Sequence, residues 1–281
     1  KYFYRMLFLR IFAKNLIMIV LKFGGTSVGS VENFRKVAKI VRSTKEEQII
    51  VLSAMSGVTN TLVCITELLA AGDTKEALAL IHGLNDKYLE VAKELLESDE
   101  TYFKAQVVLK RHHQVLLSIA EEPFSKVNEN IIMAQGELVS TYLFHLYMEE
   151  AGGASTLLSA LDFMHIDAFG EPRSQVIRER LAKVMANHQA STYITQGFIC
   201  RNTKNEIDNL KRGGSDYSAS LIGAAVGASQ IQIWTDIDGM HNNDPRYVDH
   251  TFSVKEMSFD EAAELAYFGA KILHPQSIIP A

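Results

Sequence analysis

Val-Leu-Lys-Phe-Gly-Gly-Thr-Ser-Val-Gly-Ser, at residues 20–30, joins an apolar run to the start of a helical pattern. The apolar run over 16–23 predicts a buried strand that contains one cation, Lys22. Gly24 and Gly25 predict a turn with uncovered backbone N–H groups, and the helix that follows adds its positive N-terminal end. Lys22 lies beside this turn, where its charge can meet a bound anion. The stretch therefore favours a phosphate-binding turn over a plain strand end with a surface lysine.

Strand-like and helix-like segments alternate around this turn and again near the end of the chain. Apolar residues at helical spacing predict a helix over 31–42, and a second apolar run predicts a strand over 48–53. Strand, helix and strand of these lengths form a βαβ unit, which implies a parallel sheet. Further helices are predicted over 61–71, 74–96, 102–119, 127–150, 175–186, 213–226 and 259–267, and further strands over 155–158, 192–195 and 230–234. The sequence thus predicts an α/β sheet built from two distant blocks.

Composition narrows the class of protein. Of the 281 residues, 47% are hydrophobic and 22% charged, so the chain can bury a sizeable core. A net charge of -5 without a basic stripe argues against nucleic-acid binding, and no apolar run is long enough for a membrane span. The two cysteines, Cys64 and Cys200, have no disulfide or metal spacing. We therefore expect a cytoplasmic protein with both thiols buried.

Both ends of the chain are unusual. Residues 1–17 mix basic side chains with aromatic and leucine clusters and lack the unbroken apolar stretch of a signal peptide. We expect these residues to be an N-terminal extension, with a domain that begins at Met18; a surface amphipathic anchor is the alternative. The chain stops at Ala281 just after an apolar restart, so we expect the natural protein to continue beyond it.

A second glycine turn lies within 211–220, Lys-Arg-Gly-Gly-Ser-Asp-Tyr-Ser-Ala-Ser. Ser215 and Asp216 are good N-cap residues for the helix that follows, and Arg212 offers a planar fork suited to a carboxylate. A plain capped helix has the same pattern. Two such turns in one chain nevertheless favour a shared site, because ligands bind at the carboxyl ends of strands in open α/β sheets.

Three further segments carry candidate ligand-binding groups. The loop after Trp234 has hydroxyl and carboxylate groups suited to a nucleoside, and Arg246 suits a phosphate, although an ordinary polar turn looks similar. Glu137 lies among apolar helical residues, so we expect a cationic partner, either a substrate ammonium or an internal lysine or arginine. Lys271 follows a helix end and can reach a phosphate or extend to solvent. No spacing typical of a zinc site is present.

These motifs together resemble those of the aspartokinases, within the amino-acid kinase superfamily. The matching stretches follow the family's order: KFGGTSV at 22–28, VLSAMSGVTN at 51–60, GEL at 136–138, ITQGF at 194–198, RGGSDY at 212–217, WTDIDG at 234–239, DPR at 244–246 and FGAKILHP at 268–275. The resemblance implies ATP-dependent phosphorylation of the side-chain carboxylate of L-aspartate to 4-phospho-L-aspartate, the first step toward lysine, threonine and methionine. It also implies a three-layer αβα sandwich around an open, mostly parallel eight-stranded sheet.

The resemblance also implies a role for each matching residue. Lys22, Gly24 and Gly25 would hold the transferring phosphoryl group, and Asp216 would help to organise the site. The aspartate-binding residues would be Ser53, Glu137, Arg212 and Ser215, and the ATP-binding residues would be Thr235, Asp236, His241, Arg246, Lys271 and Ile272. Mg²⁺ would be held mainly through the nucleotide phosphates, without side-chain metal ligands. Residues 18–160 would form the amino-acid-binding lobe and 161–281 the nucleotide-binding lobe.

Some positions depart from the family's usual pattern. Lys211 replaces a glycine, Asn209 replaces a threonine, and His241 stands where a tyrosine is common. A bulky cation at 211 can either balance phosphate charge or obstruct the site. The 281 residues include no carboxyl-terminal ACT domains, so we expect no feedback inhibition by lysine or threonine. We expect the full-length protein to be a homo-oligomer. A catalytically weak regulatory protein and a related kinase with another acceptor stay open as alternatives.

Overall fold

The computed structural model describes residues 18–188, 190–211, 213–236, 239, 241–243, 248–267 and 279–280. Seven strands and nine helices lie within these residues. The strands are β1 (Met18–Phe23), β2 (Glu47–Leu52), β3 (Thr156–Leu158), β4 (Thr192–Gln196), β5 (Ile199–Arg201), β6 (Ile207–Asn209) and β7 (Gln230–Trp234). The helices are α1 (Val31–Ser43), α2 (Val58–Ala71), α3 (Thr74–Leu95), α4 (Asp99–Ala120), α5 (Lys126–Glu150), α6 (Ala160–Phe163), α7 (Ser174–Ala186), α8 (Gly214–Val226) and α9 (Phe259–Tyr267).

Five of these strands form one parallel sheet in the order β3-β4-β2-β1-β7. Strand β1 pairs with β2, the next strand along the chain, and with β7, the last strand described. The predicted βαβ unit and the two-block sheet are therefore confirmed. The eight-strand count stays a prediction, because the described residues contribute five strands to this sheet. Strands β5 and β6 form a separate antiparallel hairpin, which the sequence patterns did not predict.

The sheet is covered on both faces, as all-parallel sheets require. Along β1, Ile19 and Leu21 join the core formed with α1 to α5, whereas Val20 joins the core formed with α6, α7 and α8. This alternation follows from the two-residue period of a strand. Lys22 shares its face of β1 with Val20, so its side chain lies on the side of the sheet that α8 covers. The three-layer αβα arrangement is confirmed, and it places Lys22 near the second glycine turn.

The predicted burial of both cysteines is wrong for one of them. Cys200 is buried, and burial raises the pKa of its thiol to about 12. Cys64 is exposed, because it lies on the solvent side of α2, whose buried residues are Val58, Leu62, Ile65, Thr66 and Leu69. None of the helices in the described part of the chain combines the length and apolar character needed to cross a membrane.

Candidate active site

The two glycine turns meet at the carboxyl end of β1. Lys22 and Asp216, in the first turn of α8, form an ion pair with a distance of 2.7 Å between Nζ and Oδ1. Their side chains are only 12% and 16% exposed, and the pairing offsets the cost of removing both charges from water. Apart from this ion pair, Asp216 Oδ1 is buried without an aligned hydrogen-bond donor among the described residues. Asp216 thus holds the Lys22 ammonium at the strand end.

Backbone geometry explains why glycine is needed in both turns. A Cβ atom on Gly25 would lie 2.8 Å from the carbonyl oxygen of Ala54, in the loop after β2. Gly213 is the N-cap of α8 and has a φ of 73°, a left-handed conformation that favours glycine. No side chain caps α8 at Gly213, and the Gly214 N–H donates to the Lys211 carbonyl at 3.1 Å, so the N–H groups that can meet an anion are those that follow Gly214. Both turns therefore present backbone donors, as the sequence predicts.

A pocket of about 270 Å³ lies where these turns meet. Five predicted site residues line it: Lys22, Ser53, Glu137, Ser215 and Asp216. Strands β1 and β2 and helices α5 and α8 position them at the carboxyl ends of the parallel strands. The other lining residues were not predicted as site residues; they are Gly213 and Gly214 of the second turn, and Thr59, Met133, Phe198 and Lys211. Thr59 and Phe198 lie within 51–60 and 194–198, two of the stretches that match the family, so the resemblance could have indicated them as site residues.

Glu137 is the most unusual group in this pocket. It is 6% exposed in the middle of α5, and among the described residues no lysine or arginine forms an ion pair with it. Burial raises the pKa of its carboxyl to about 8, although hydrogen bonds from the Ala54 N–H and its own N–H oppose the rise. Of the two partners expected from the sequence, the internal cation is therefore not found in the described part of the chain. The Glu137 side chain lines the same pocket as Lys22.

The predicted nucleotide-binding residues divide into two groups. Thr235 and Asp236 follow β7 and line a second cavity of about 280 Å³ beside the end of β1, where the rings of Phe23 and Trp234 stack with centroids 5.7 Å apart. His241 Nδ1 lies 2.9 Å from Thr251 Oγ1, and His241 does not line either of these two cavities. Four of the predicted site residues lie outside the described residues: Arg212, Arg246, Lys271 and Ile272.

The β5–β6 hairpin forms one side of the pocket with an unusual backbone. Phe198 and Lys211 have φ angles of 66° and 63°, in the left-handed region that glycine adopts easily. Such a conformation costs a residue with a side chain about 1 kcal/mol or more. The Lys211 N–H donates to Asn209 Oδ1 at 3.1 Å, and Asn209 Nδ2 donates to Asn130 Oδ1 at 3.1 Å. Two of the three departures from the family pattern, Asn209 and Lys211, therefore form one hydrogen-bonded unit anchored to α5.

This fold and pocket define an α/β protein with an anion-binding turn, a buried cation and a buried carboxylate at the carboxyl ends of parallel strands. The chain belongs to the amino acid kinase family, whose model matches residues 18–281. It is 35% identical over 274 residues to lysine-sensitive aspartokinase 3 of Escherichia coli. This match covers 94% of the present chain and 59% of the E. coli protein. It is 34% identical to chloroplastic aspartokinase 2 of Arabidopsis thaliana, over 93% of this chain and 50% of that protein.

Solved structures agree with this assignment. The crystal structure of E. coli aspartokinase III in complex with aspartate and ADP superposes with a TM-score of 0.81 at 34% identity. The match covers 94% of this chain and 59% of that chain. The bifunctional aspartokinase/homoserine dehydrogenase of Daucus carota is 33% identical over 92% of this chain but only 29% of its own length. The present chain thus spans only part of the relatives that it matches.

Proposed function

We propose that this chain catalyses ATP-dependent phosphorylation of the side-chain carboxylate of L-aspartate. The observation that carries the proposal is the buried Glu137, which lies in the same pocket as Lys22 and forms no ion pair with a lysine or arginine among the described residues. An amino-acid acceptor supplies an ammonium for Glu137 and a carboxylate that can be phosphorylated. The identity to aspartokinases over most of the chain supports aspartate as that acceptor. The structure of one relative with aspartate and ADP supports the same pair of ligands.

The proposed reaction needs no general base. The side-chain carboxyl of aspartate has a pKa near ~3.9, so it is already ionised at neutral pH. One of its oxygens attacks the γ-phosphorus of ATP, the bond to the β-phosphate oxygen breaks, and 4-phospho-L-aspartate and ADP form. Lys22 and the backbone N–H groups at Gly24, Gly25 and the start of α8 would neutralise charge on the transferring group. Ser53, Glu137, Arg212 and Ser215 would hold the acceptor.

ATP would bind along the end of β7 and the loops beyond it. Thr235 and Asp236 support this placement by lining a cavity next to β1, and His241, Arg246, Lys271 and Ile272 complete the proposed set. The described residues contain no cluster of three or more His, Cys, Asp or Glu that could hold a metal ion. As the resemblance implies, Mg²⁺ would be held mainly through the nucleotide phosphates, where it would neutralise their charge. The proposed lobes are 18–160 for the acceptor and 161–281 for the nucleotide.

The product would enter lysine, threonine and methionine synthesis, as the resemblance implies. A cytoplasmic location and a homo-oligomer at full length stay predictions, and the relatives include chloroplastic proteins.

Trapping the acyl phosphate with hydroxylamine tests the proposed reaction. With ATP, Mg²⁺ and L-aspartate we expect aspartyl hydroxamate. Asparagine should give none, because it lacks the side-chain carboxylate, and succinate should react far more slowly, because it leaves Glu137 unpaired. ATP binding without hydroxamate would contradict the proposal and favour a regulatory protein. A faster reaction with another carboxylic acid would contradict aspartate as the acceptor.

A further inference from the structure

Lys211 lies in a wall shared by two cavities. The first is the proposed acceptor pocket, and the second is a neighbouring cavity of about 510 Å³ between α2, the start of α5 and the β5–β6 hairpin. Met133, Phe198 and Lys211 line both. Lys22 and Asp216 line only the first, so the two lysines mark different sides of the acceptor pocket.

The backbone at Lys211 points to a role for its side chain. Glycine adopts a φ of 63° without strain, whereas lysine does so at a cost. The hydrogen bond from the Lys211 N–H to Asn209 Oδ1 holds this conformation, and Asn209 is in turn bonded to Asn130. Strained residues that are held by specific contacts cluster at functional sites. The side chains of Asn209 and Asn130 thus stabilise a lysine in a backbone conformation that suits glycine.

Among the described residues, Lys211 is the more loosely paired of the two lysines that line this pocket. Its Nζ lies 3.5 Å from Asp208 Oδ1, and its side chain is 66% exposed. Lys22, by contrast, contacts Asp216 at 2.7 Å and is largely buried. These are the two lysines that line the pocket among the described residues. A carboxylate that enters from solvent therefore meets the Lys211 ammonium without first breaking a tight ion pair.

We propose that Lys211 is a specificity-determining residue of the acceptor site. Its ammonium adds a contact, beside the one proposed for Arg212, to the acceptor carboxylate that does not receive the phosphoryl group, and this contact favours dicarboxylic acceptors. The inference rests on the proposed function, since it assigns one more contact to the same acceptor. Lys22 serves the phosphoryl side of the pocket, and Lys211 serves the side next to the second cavity.

Substitutions at Lys211 separate its charge from its backbone conformation. In Lys211→Met and Lys211→Gly, we expect the KM for aspartate to rise about 5- to 20-fold, as for loss of a charged hydrogen bond. The kcat and the KM for ATP should change less than about twofold, because uniform acceptor binding is lost. Lys211→Arg should restore most of the affinity. Lys204→Met is the matched control, because Lys204 is an exposed hairpin lysine that lines neither cavity.

Thermal stability and salt dependence exclude a merely structural role. Lys211→Gly should unfold at the same or a higher temperature than the unmodified chain, because glycine relieves the left-handed strain. Added salt should raise the KM for aspartate in the unmodified chain and much less in Lys211→Met. An unchanged KM in both the Met and Gly variants would overturn the role of Lys211, and so would a rise that follows a loss of stability alone.

Equilibrium binding of L-aspartate by calorimetry separates this inference from the proposed function. If the unmodified chain forms hydroxamate and Lys211→Met binds L-aspartate with unchanged affinity, the inference is overturned and the proposed function stands. Aspartate binding that depends on Lys211 without any hydroxamate would support the inference and contradict the function. An unmodified chain that neither binds nor phosphorylates aspartate would overturn both.

Discussion

Two sides of the acceptor pocket are built in different ways. The pocket floor, which we define as Lys22, Ser53 and Glu137, belongs to the core of the protein. Lys22 lies within β1, Ser53 follows β2 directly, and Glu137 lies in the middle of the 25-residue helix α5. The carbonyl group of Ser53 accepts a hydrogen bond from the Ser140 hydroxyl at 2.8 Å, which ties β2 to α5. The floor is thus fixed by the packing of the sheet against its longest helix.

The hairpin wall, which we define as Phe198, Asn209 and Lys211, depends instead on local backbone conformation. The strands β5 and β6 of this hairpin have three residues each, and the backbone at Phe198 and Lys211 is in the left-handed conformation. The Phe198 N–H donates to Ser218 Oγ at 3.0 Å, and the Leu210 N–H donates to the Phe198 carbonyl at 2.8 Å. These hydrogen bonds fix the backbone of the wall at single positions. The floor is therefore suited to chemistry that needs fixed charges, and the wall to tuning which acceptor binds.

The largest effect is expected at the floor residue Lys22. Lys22→Met removes the cation proposed to neutralise the transferring phosphoryl group, so kcat should fall about 10²- to 10⁴-fold. It also leaves Asp216 buried without its partner, which should lower the free energy of unfolding by about 3 kcal/mol. Hydroxamate formation and chemical denaturation measure the two effects. Lys104→Met is the control, because it removes an exposed lysine paired with Glu100 on α4, far from the site in sequence.

A double variant separates the loss of catalysis from the loss of stability. Lys22→Met combined with Asp216→Asn removes both charges of the buried pair, so it should recover most of the stability lost in the single variant. Its activity should stay low. Recovery of activity together with stability would show that Lys22 acts only by supporting the fold, and the floor would then lose its proposed role in chemistry.

At the floor residue Glu137, the substitution Glu137→Gln should raise the free energy of unfolding and weaken acceptor binding. The folded protein keeps the Glu137 proton up to a pKa of about 8, whereas the unfolded chain releases it near the ordinary value of 4.5. The unmodified chain therefore loses stability as pH rises between these values, by up to ~1.4 kcal/mol per pH unit. Glu137→Gln does not titrate. Its stability advantage should therefore grow through this window and level off above pH 8, as denaturation at several pH values would show.

The same substitution should weaken acceptor binding. Glu137→Gln loses the anion proposed to pair with the acceptor ammonium, so the KM for aspartate should rise about 10- to 100-fold. In the unmodified chain, the KM for aspartate should fall as pH rises toward 8, because more Glu137 is ionised. In Glu137→Gln this pH dependence should disappear. A KM for aspartate that is independent of pH in the unmodified chain would contradict the proposed pairing.

The floor could be predicted from the sequence far better than the wall. Of the floor residues, Lys22 and Glu137 stand out in the sequence because each is a charge within a long apolar segment, whereas Ser53 was indicated only by the family resemblance. All three line one pocket. Helix and strand bounds were predicted to within a few residues wherever the apolar period was long. Family membership is confirmed by the match over 18–281.

The wall escaped prediction for physical reasons. Strands β5 and β6, of three residues each, and the four-residue helix α6 are too short to show a period. The left-handed φ of Phe198 follows from tertiary contacts and leaves no mark in residue type. Lys211 was noticed as a departure from the family pattern, but its link to Asn209 and Asn130 joins the hairpin to a helix about 80 residues earlier. Only the folded chain shows that Asn209 and Lys211 belong together.

Asn209 offers an intermediate test of the wall. Asn209→Ala removes the acceptor for the Lys211 N–H and the donor to Asn130, so we expect a loss of about 1 kcal/mol of stability. The KM for aspartate should rise about two- to fivefold, since Lys211 keeps its charge but loses part of its support. In a double-mutant cycle with Lys211→Gly, the effect on KM should largely disappear. Additive effects would contradict the coupling of Asn209 with Lys211.

The smallest effect is expected beneath the floor, at Tyr88 of α3. Its hydroxyl is buried without a hydrogen-bond partner among the described residues, and burial together with the Glu137 carboxylate raises its pKa. Tyr88→Phe removes an unpaired polar group, so stability should stay the same or rise by about 1 kcal/mol, with an unchanged KM for aspartate. Denaturation and acceptor kinetics test this, with Tyr102→Phe on α4 as the control. A weaker affinity for aspartate in Tyr88→Phe alone would show that the floor extends one layer deeper, to a hydroxyl that supports the ionised Glu137.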